Sequence, residues 1–583
     1  MADYLVDSGS GTKLTWWQRA VIYHIYPRSF QDSDGDGIGD LRGITQRLDY
    51  LAWLGVDALW LSPVYPSPMA DFGYDVTDHC DIDPMFGTLA DMDALIEAAH
   101  EKGLKLILDF VPNHTSDLHP WFLESKSSRK NPKRDWYYWK YPAPGGGPPN
   151  NWLSRFDGKS AWKWDETTGQ YYLHTFLEEQ PDLNWRNPEV QQAMLDILRF
   201  WFARGVDGFR VDVSYRVMKD RDFRDNPLNP EWKEGMDRSF RVLEKNTKNT
   251  ADIHQFNRWI RQTADEFEQK VTIGEMNLKI PELVKHYGTP ERPEFHLPFN
   301  FRLIFTPWQA ENVRRLVDEY EAEIPPHGWP NWVLSNHDQP RFATRAGTAQ
   351  ARCGYLFLLT VRGTPTIYYG DELGMESVEI PADKVQDPWE LLSPGLGLGR
   401  DPVRTPMRWD EQPHAGFCAG NVTPWLPAGD GSAHQNVAIE QKRSSSMLNM
   451  VRELLRLRRS YSALTAGECR TLPVNLPEEL LAYERRLENA PSCIIVLNFS
   501  DRPQLAQVQI GAAMPSSYAW EEQAATSGIL LSTYMDSGSR VEGIRDGWLG
   551  VQLRAGEGVI IAVDGAEELK QHQNGDRKVQ HHK

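Results

Sequence analysis

Several polar residues that can transfer protons or attack carbon stand at or just after segments that resemble buried β-strands. These residues are Asp109, His114, Arg210, Asp212, Glu275, His337 and Asp338. A strand-end ion pair is the ordinary explanation for any single acid, because a buried carboxylate is costly unless it is paired or used. Three acids together with two histidines and an arginine favour a catalytic site instead.

Two opposed carboxylates in an apolar pocket can cleave a glycosidic bond. One attacks the anomeric carbon, and the other stays protonated until it gives its proton to the leaving oxygen. The two groups lie about 5–5.5 Å apart in retaining enzymes and about 6.5–9.5 Å apart in inverting ones. Asp212, Glu275 and Asp338 are candidates for this chemistry, and the sequence leaves their separations open.

An acidic loop near the N-terminus has the composition of a cation site. In the segment DSDGDGIGD (32–40), aspartates alternate mainly with glycines. Such a loop can wrap a hard cation as the first nine positions of an EF-hand do. The donors would be Asp32, Asp34, Asp36, the carbonyl of Ile38 and Asp40. The bidentate acid of an EF-hand is missing, since Gly43 takes its place, so a solvated acidic turn is the alternative.

The elements that must position these residues alternate between strands and helices from about residue 20 to 460. The strand candidates are 20–26, 57–65, 105–111, 208–213, 271–276, 299–305, 331–338 and 364–372. A helix is predicted after Asn187, with Pro188 in its first turn and Gly205 beyond its end. Another is predicted over residues 447–459. Eight such repeats predict a (β/α)₈ TIM barrel; an open doubly wound sheet would normally carry a Gly-rich turn after its first strand, which is lacking here.

The spacing of these elements predicts three structural units. The catalytic barrel would comprise residues 1–111 and 191–466, and the long gap between the third and fourth strands would hold an inserted subdomain at 112–190. Strands without intervening helices follow, so we expect a C-terminal antiparallel β-sandwich over 467–565. The polar tail at 566–583 is expected to be flexible.

Composition excludes several classes of protein. The 583 residues carry 63 Lys and Arg against 81 Asp and Glu, a net charge of −18, which argues against nucleic acid or an anionic membrane as partner. Five scattered cysteines predict a reducing compartment, and we expect a cytoplasmic location because the N-terminus has neither the basic nor the apolar region of a signal peptide. The 22 Trp residues serve packing in most cases, although sugar rings also prefer flat aromatic faces.

Five short motifs together resemble the α-amylase family of glycoside hydrolases. They are DALWLSP (57–63), DFVPNH (109–114), GFRVDV (208–213), GEM (274–276) and SNHDQPR (335–341), in family order. The resemblance implies a retaining mechanism, in which Asp212 is the nucleophile, Glu275 the general acid/base and Asp338 the stabiliser of the distorted sugar. It also implies that Arg210 keeps the nucleophile ionised. His114 and His337 would hydrogen-bond the hydroxyls of the cleaved glucose.

Further motifs are similar to those of the oligo-1,6-glucosidase and α-glucosidase branch. These motifs are QPDLNW (180–185), DFGYDV (71–76) and GRDPVRTPMRW (399–409). The resemblance implies a closed pocket for one terminal glucose, and therefore release of α-glucose from the non-reducing end of short α-glucosides. The implied sugar contacts are Asp71, Tyr74 and Arg404, with Phe156 and Phe176 as pocket walls or, alternatively, as core aromatics of the insertion.

The resemblance leaves the preferred bond and the final acceptor open. A valine directly after the nucleophile, here Val213, resembles the pattern of enzymes that accept α-1,6 bonds. In contrast, the segments 211–230 and 380–402 resemble those of α-glucosidases that prefer maltose, sucrose or trehalose. A transferase or isomerase of the same family is the alternative function. A non-catalytic relative would lack the acids and carry a membrane helix, contrary to this sequence.

The branch also implies a structural metal in the acidic loop. We expect Ca²⁺ there, with Mg²⁺ as the alternative, and no organic cofactor. The expected partner is a small oligosaccharide or disaccharide, with neither nucleic acid nor membrane, and the oligomeric state is open.

Overall fold

The computed structural model describes residues 14–510 and 528–563, and its main body is a barrel of eight parallel strands. The strands are Ile22–Ile25, Ala58–Leu61, Lys105–Phe110, Gly208–Val211, Val271–Met276, Leu297–Asn300, Asn331–Val333 and Thr364–Tyr368. Strands adjacent in this order are neighbours in the sheet except at one seam, and the eighth strand pairs with the first. This arrangement confirms the predicted (β/α)₈ fold class.

The seam lies between the sixth and seventh strands and is bridged by one buried side chain. The Oδ1 atom of Asn331 accepts a hydrogen bond from the backbone N–H of Asn300 at 2.8 Å. Its Nδ2 donates to the carbonyl oxygen of Pro298 at 2.7 Å. Because buried backbone groups need partners, this amide takes the place of ladder hydrogen bonds and closes the barrel.

Helices cover the outside of the barrel. The principal ones are Leu48–Leu54, Leu89–Glu101, Pro188–Ala203, Ile253–Ala264, Ala310–Glu323, Thr348–Thr360 and Met447–Ser460. The helix predicted after Asn187 is Pro188–Ala203, and the Asn187 side chain accepts a hydrogen bond from the N–H of Glu189. No helix in the described part of the chain is long and apolar enough to cross a membrane.

The prediction of a sixth strand over residues 299–305 is wrong in its second half. The strand is Leu297–Asn300, and Arg302–Phe305 forms a short helix. The Asn300 side chain accepts a hydrogen bond from the N–H of Arg302 at 2.9 Å, which supports the first helical turn. A short run such as FNFRLIF has the same apolar pattern in a strand and at a strand–helix junction. The helix carries part of the cavity wall described below.

The segment after the third barrel strand forms a small subdomain of its own, as expected for an insertion. Its antiparallel sheet contains Trp139–Lys140, Trp162–Asp165 and Gln170–Leu173. Its core consists of Tyr138, Trp152, Ala161, Trp162 and Leu173. Two of the tryptophans of this segment, Trp152 and Trp162, therefore stack in its core.

A buried ion pair ties this subdomain to the barrel. The Nζ atom of Lys219 lies 2.6 Å from the Asp182 carboxylate, and neither side chain has measurable exposure. The same Nζ donates to the Oδ1 of Asn113 at 2.6 Å and to the carbonyl of Arg216 at 2.7 Å. Burial lowers the pKa of Lys219, and the charge of Asp182 opposes that shift.

We expect Lys219→Met to reduce the free energy of unfolding by about 3–5 kcal/mol, because it leaves the Asp182 carboxylate buried without its counter-charge. Denaturant unfolding followed by circular dichroism would measure the change. Lys159→Met is the matched control, since Lys159 pairs with Asp157 at the surface and is 73% exposed; it should cost less than about 1 kcal/mol. Equal, small losses in both variants would contradict this role of the buried pair.

The C-terminal unit consists of two antiparallel sheets that pack face to face. One contains Glu468–Leu472, Leu480–Arg486, Cys493–Asn498, Ile529–Ser532 and Gly558–Ala562, and the other Gln504–Gln509, Arg540–Arg545 and Trp548–Leu553. Apolar side chains from both sheets form a common core, as expected for a sandwich. Glu468–Leu472 and Arg540–Arg545 were missed because they are largely polar. The predicted tail at 566–583 lies outside the described residues.

Candidate active site

A cavity of about 390 Å³ opens at the carboxyl ends of the barrel strands, and its wall includes Asp212, Glu275 and Asp338. Asp212 directly follows the fourth strand, Glu275 lies near the end of the fifth, and Asp338 stands in the loop after the seventh. Parallel strands bring their ends to one rim, so three acids far apart in sequence meet here.

The guanidinium of Arg210 stands behind two of these acids. Its Nη1 lies 2.6 Å from Asp212 Oδ1, and its Nη2 lies 2.6 Å from Glu275 Oε2. A third carboxylate, that of Asp109 on the third strand, lies 2.7 Å from Nη1. Arg210 is almost fully buried and is not part of the cavity wall. It therefore orients Asp212 and Glu275 from behind while their free oxygen atoms face the cavity.

Ionising all three carboxylates around one guanidinium at the same time costs free energy, because one positive charge cannot balance three negative ones. Burial raises the pKa of Asp212 well above the usual aspartate value; Arg210 opposes the shift, whereas Glu275 and Asp109 add to it. Burial likewise raises the pKa of Asp109 to about 6. Asp212 and Glu275 are close enough to share a hydrogen bond. Burial and the neighbouring carboxylates therefore favour the protonated form of Asp212, whereas Arg210 favours the ionised nucleophile.

The backbone after Asp212 turns sharply and contacts Glu275 as well. Val213 has φ 36° and ψ 37°, a left-handed conformation that a β-branched residue adopts only under strain. In this conformation its N–H donates to Glu275 Oε2 at 2.7 Å. The hydroxyl of Ser214 donates to the Glu275 carbonyl at 2.8 Å. A strained turn thus couples the position of one acid to the position of the other.

Buried polar residues form the part of the cavity wall beside Asp338. The Nη2 of Arg400 lies 2.7 Å from Asp71 Oδ1, and its Nη1 lies 3.6 Å from Asp338 Oδ1. The ring of Tyr74 stacks on that of His337, and its hydroxyl lies 2.9 Å from His337 Nε2. These residues surround a space with many hydrogen-bonding groups.

Burial favours the neutral form of two histidines in this part of the cavity wall. Burial lowers the pKa of His114 to about 4 and lowers the pKa of His337 well below the usual value. His114 lies in the cavity wall beside Phe176, at 5.3 Å between ring centroids, and Phe156 lies next to Phe176. Neutral imidazoles can donate to or accept from sugar hydroxyls without adding a charge.

The arginine predicted as a sugar contact lies one layer behind the cavity. Arg404 is fully buried; its Nη2 lies 3.1 Å from Asp338 Oδ1, and its Nε donates to the His337 carbonyl at 2.9 Å. The cavity wall instead includes Arg400, four residues earlier in the same motif. The sequence pattern contained both arginines and could not tell which one faces the ligand.

Residues 24–467 match the family description "Alpha amylase, catalytic domain". The chain belongs to the alpha-amylase family. A probable alpha-glucosidase of Rhizobium meliloti is 44% identical over 471 residues, which cover 78% of this chain and 84% of that protein. The oligo-1,6-glucosidase of Heyndrickxia coagulans is 39% identical over 524 residues, covering 83% and 92%.

Solved structures of other alpha-amylase family members resemble almost the whole chain. The alpha-glucosyl transfer enzyme XgtA has a TM-score of 0.85 and 37% identity, and the match covers 94% of this chain and 100% of that one. The trehalulose synthase MutB of Pseudomonas mesoacidophila has a TM-score of 0.81 and 31% identity, with coverage of 94% and 100%. The family relationship therefore extends beyond the barrel.

The outer half of this alpha-amylase family cavity contains residues that the sequence did not single out. They include Arg155, Tyr215, Arg216, Phe240, Glu244, Lys248, Phe301, Ile304, Phe305, Trp389 and Leu398. Most of them stand in the long segments that follow the fourth, sixth and eighth barrel strands. The barrel fold predicts that the loops after its strands form the site, but no sequence motif singles out individual positions within these loops.

The acidic loop places three of its five predicted ligands together. One carboxylate oxygen from each of Asp32, Asp34 and Asp40 lies within 4.8 Å of the others. The Asp36 carboxylate lies outside that group and accepts a hydrogen bond from the N–H of Ile38 at 2.8 Å. Three carboxylates at this spacing suit a hard divalent cation. This loop is separate from the acids of the cavity wall.

A second group of metal-ligand types fits a cation less well. His254, His286 and Glu294 also have side-chain atoms within 4.8 Å of one another. However, Asn257 donates to both His286 Nδ1 and Glu294 Oε2, and Arg258 lies 3.2 Å from Glu294 Oε1. The lone pairs that a metal would need are already in use, so this is a hydrogen-bonded core cluster.

Proposed function

We propose that this alpha-amylase family member is an exo-acting retaining α-glucosidase that releases α-glucose from the non-reducing end of short α-glucosides. The observation that carries the proposal is the contact of Asp212 and Glu275 with neighbouring nitrogens of one buried guanidinium. Carboxyl groups that share one guanidinium favour the shorter separation of a retaining enzyme over the wider separation of an inverting one. The names of the α-glucosidase and oligo-1,6-glucosidase relatives support the same activity.

The chemistry proceeds in two displacements at the anomeric carbon. Asp212 attacks that carbon while Glu275 gives a proton to the leaving oxygen, so the glycosidic bond breaks and a glucosyl-enzyme forms. Glu275 then takes a proton from water, whose oxygen displaces Asp212 and restores the α-configuration. Asp338, which Arg404 holds from behind, is placed to bind the hydroxyls of the distorted sugar.

The buried polar part of the cavity wall supports release of a single terminal glucose. Asp71, Tyr74, His114 and Arg400 line this part, and their polar side chains suit the hydroxyls of one sugar ring. Maltotriose labelled at its reducing end provides the test, with products separated after less than a tenth of the substrate is consumed. We expect unlabelled glucose and labelled maltose. Labelled glucose as the first product would contradict exo-action from the non-reducing end.

A glucosyltransferase or isomerase is the second candidate, favoured by the structural likeness to an alpha-glucosyl transfer enzyme and a trehalulose synthase. All three activities share the glucosyl-enzyme and differ in the hydroxyl that resolves it. Product analysis on maltose, isomaltose, sucrose and trehalose would separate them, because a transferase yields new glucosides in excess of free glucose. None of the five cysteines, all of which lie in the described part of the chain, forms a disulfide, and this supports the further proposal of a cytoplasmic location.

We also propose that the acidic loop binds Ca²⁺ through Asp32, Asp34 and Asp40, as a structural ion remote from the chemistry. EGTA should then lower the melting temperature, because an ion present at about 100 times its Kd adds roughly 2.7 kcal/mol of stability. For a chain of 583 residues, at about 2.1 cal/mol/K of unfolding entropy per residue, the shift is roughly 2 °C. Scanning fluorimetry with added Ca²⁺ or Mg²⁺ would measure it.

Asp34→Ala should abolish the response to Ca²⁺, because it removes the most exposed ligand of the three. Asp93→Ala is the matched control: Asp93 is a surface acid paired with Arg204, outside the loop. It should leave the response intact. An Asp34→Ala protein that still gains the full shift with Ca²⁺ would refute this site.

A further inference from the structure

His114 belongs to the cavity wall, and both of its ring nitrogens have polar neighbours. Its Nδ1 lies 3.1 Å from the side-chain amide nitrogen of Asn113. Its Nε2 lies 3.2 Å from the carbonyl oxygen of Tyr74 and 3.1 Å from the side-chain nitrogen of Gln180. Burial lowers the pKa of His114 to about 4, which favours the neutral ring with a single proton. The nitrogen that holds this proton decides what the ring can offer to a sugar hydroxyl.

The orientation of the Asn113 side chain follows from the ammonium of Lys219 behind it. The Lys219 Nζ lies 2.6 Å from the amide oxygen of Asn113. Its other two partners are the Asp182 carboxylate at 2.6 Å and the carbonyl oxygen of Arg216 at 2.7 Å. An ammonium has three donors and no acceptor, and these three oxygens use all of its donors. The amide oxygen of Asn113 therefore faces Lys219, and its amide nitrogen donates to Nδ1 of His114.

Two of the three contacts of the imidazole ring favour a proton on Nε2. In that form Nδ1 accepts from Asn113, and Nε2–H donates to the Tyr74 carbonyl, which can only accept. Gln180 is the exception. Its amide oxygen accepts the N–H of Leu177 at 3.0 Å, so its nitrogen faces Nε2 and the Asp71 carboxylate. Only this contact with Nε2 then joins two donors.

Lys219 decides which form of the ring has the majority of its contacts. If no ammonium held the Asn113 amide, the amide could turn over and accept from Nδ1–H through its oxygen. Gln180 would then donate to the free lone pair of Nε2, and the Tyr74 carbonyl alone would lose its partner. The chain of contacts therefore runs from Lys219 through Asn113 to the proton of His114.

A proton on Nε2 suits a sugar hydroxyl that also contacts a carboxylate. A hydroxyl has one hydrogen, and an ionised carboxylate such as that of Asp71 can only accept it. The oxygen of the hydroxyl then has only lone pairs left, so its second neighbour must be a donor. His114 Nε2 and Asp71 Oδ2 each lie 3.1 Å from the Gln180 nitrogen, and both residues line the cavity. They stand on one side of the wall, where a hydroxyl can contact both.

We propose that Lys219 is a positioning residue that keeps the proton of His114 on Nε2, through Asn113, and so makes this ring a donor to the substrate. Neither Lys219 nor Asn113 belongs to the cavity wall, so both act through the ring. Lys219 stands in the loop after the strand of the nucleophile, whereas His114 follows the third strand. The inference rests on the proposed α-glucosidase function and adds the residue that directs one of its sugar contacts.

Long-range ¹⁵N–¹H NMR spectra of the protein with ¹⁵N-labelled histidine test the position of the proton. The signals of His114 would be assigned as those that disappear in His114→Asn. We expect that, in the wild type at neutral pH, Nε2 gives the pyrrole-type signal of a protonated nitrogen. Nδ1 should give the pyridine-type signal of a free lone pair. The reverse assignment would overturn the proposal.

Lys219→Met combined with Asp182→Asn tests the role of the lysine. The two changes remove both charges of the pair, so neither charge is left buried alone. The proton should move from Nε2 to Nδ1. The value of kcat/KM toward p-nitrophenyl α-glucoside should fall about three- to tenfold, as expected for one lost hydrogen bond to the substrate. An unchanged position of the proton, or a moved proton with unchanged kcat/KM, would overturn the proposal.

Lys159→Met combined with Asp157→Asn is the matched control, because it neutralises a pair in which Lys159 is 73% exposed. It should change neither the spectra nor kcat/KM. If the melting curve shows that Lys219→Met with Asp182→Asn is unfolded, Asn113→Asp takes its place. The new carboxylate keeps an acceptor for Lys219 and places another acceptor beside Nδ1, which should then carry a proton. Nδ1 without a proton in that variant would overturn the proposal.

The same measurements separate this inference from the proposed function. A wild type that does not cleave p-nitrophenyl α-glucoside would refute the α-glucosidase function, whatever the spectra show. Normal cleavage by a wild type with the proton of His114 on Nδ1 would overturn the inference alone.

Discussion

Asp212→Ala should lower kcat/KM toward p-nitrophenyl α-glucoside by about 10⁴–10⁶-fold. The side chain that attacks the anomeric carbon is then missing. Stopped assays with high enzyme concentration would measure the residual rate. Circular dichroism and the melting temperature would show that the barrel is still folded.

Asp237→Ala is the matched control for Asp212→Ala. Asp237 is an acid of the same cavity wall, but its carboxylate accepts a hydrogen bond from the N–H of Ser239 rather than from Arg210. Its loss should change kcat/KM less than tenfold, roughly 1 kcal/mol of transition-state energy. Asp212→Ala with turnover close to that of the wild type would refute the assignment of the nucleophile.

Glu275→Gln should affect substrates according to how much their leaving groups need a proton. With maltose, kcat/KM should fall about 10²–10⁴-fold, because the poor leaving group depends on general acid catalysis. With p-nitrophenyl α-glucoside the first displacement needs little help, so kcat/KM should fall less than about tenfold, while kcat falls further because water is no longer activated. Azide, which needs no general base, should restore kcat for the nitrophenyl substrate. An equal loss for both substrates would contradict the acid/base role.

The same substitution should move the acid limb of the pH profile. The charge of Glu275 is one cause of the raised pKa of Asp212, after burial and against the opposing effect of Arg210. Removing that charge lowers the pKa of Asp212, so the ionised nucleophile persists to lower pH. The fall of kcat/KM on acidification should therefore occur at lower pH in Glu275→Gln than in the wild type. An unchanged acid limb would mean that the charge of Glu275 does not act on Asp212, and a shift to higher pH would contradict the sign of the interaction.

Much of the reaction centre could be predicted from the sequence, because the topology does the positioning. Once eight strands are assigned to a parallel barrel, the acids at their carboxyl ends must share a rim. The strand order alone therefore predicts that Asp212, Glu275 and Asp338 lie together. Arg210 followed from the same reasoning, since residues two apart on a strand point to the same side.

Side-chain direction within loops could not be predicted in the same way. Arg400 and Arg404 stand in one motif, and only the fold shows that the first faces the cavity and the second supports Asp338 from behind. The contact between the N–H of Val213 and Glu275 depends on a left-handed backbone, for which a valine gives no signal. The helix Arg302–Phe305 was read as a strand, which concealed the outer wall of the cavity.

The anomeric form of the first glucose released tests the central claim most directly. Proton NMR spectra recorded within the first minutes of maltose hydrolysis, before mutarotation equilibrates the anomers, would follow the two anomeric signals. Two displacements through Asp212 and Glu275 predict that α-glucose accumulates first and β-glucose appears only with the rate of mutarotation. β-Glucose as the first product would mean a single displacement by water, and it would contradict the glucosyl-enzyme and the roles assigned to both acids.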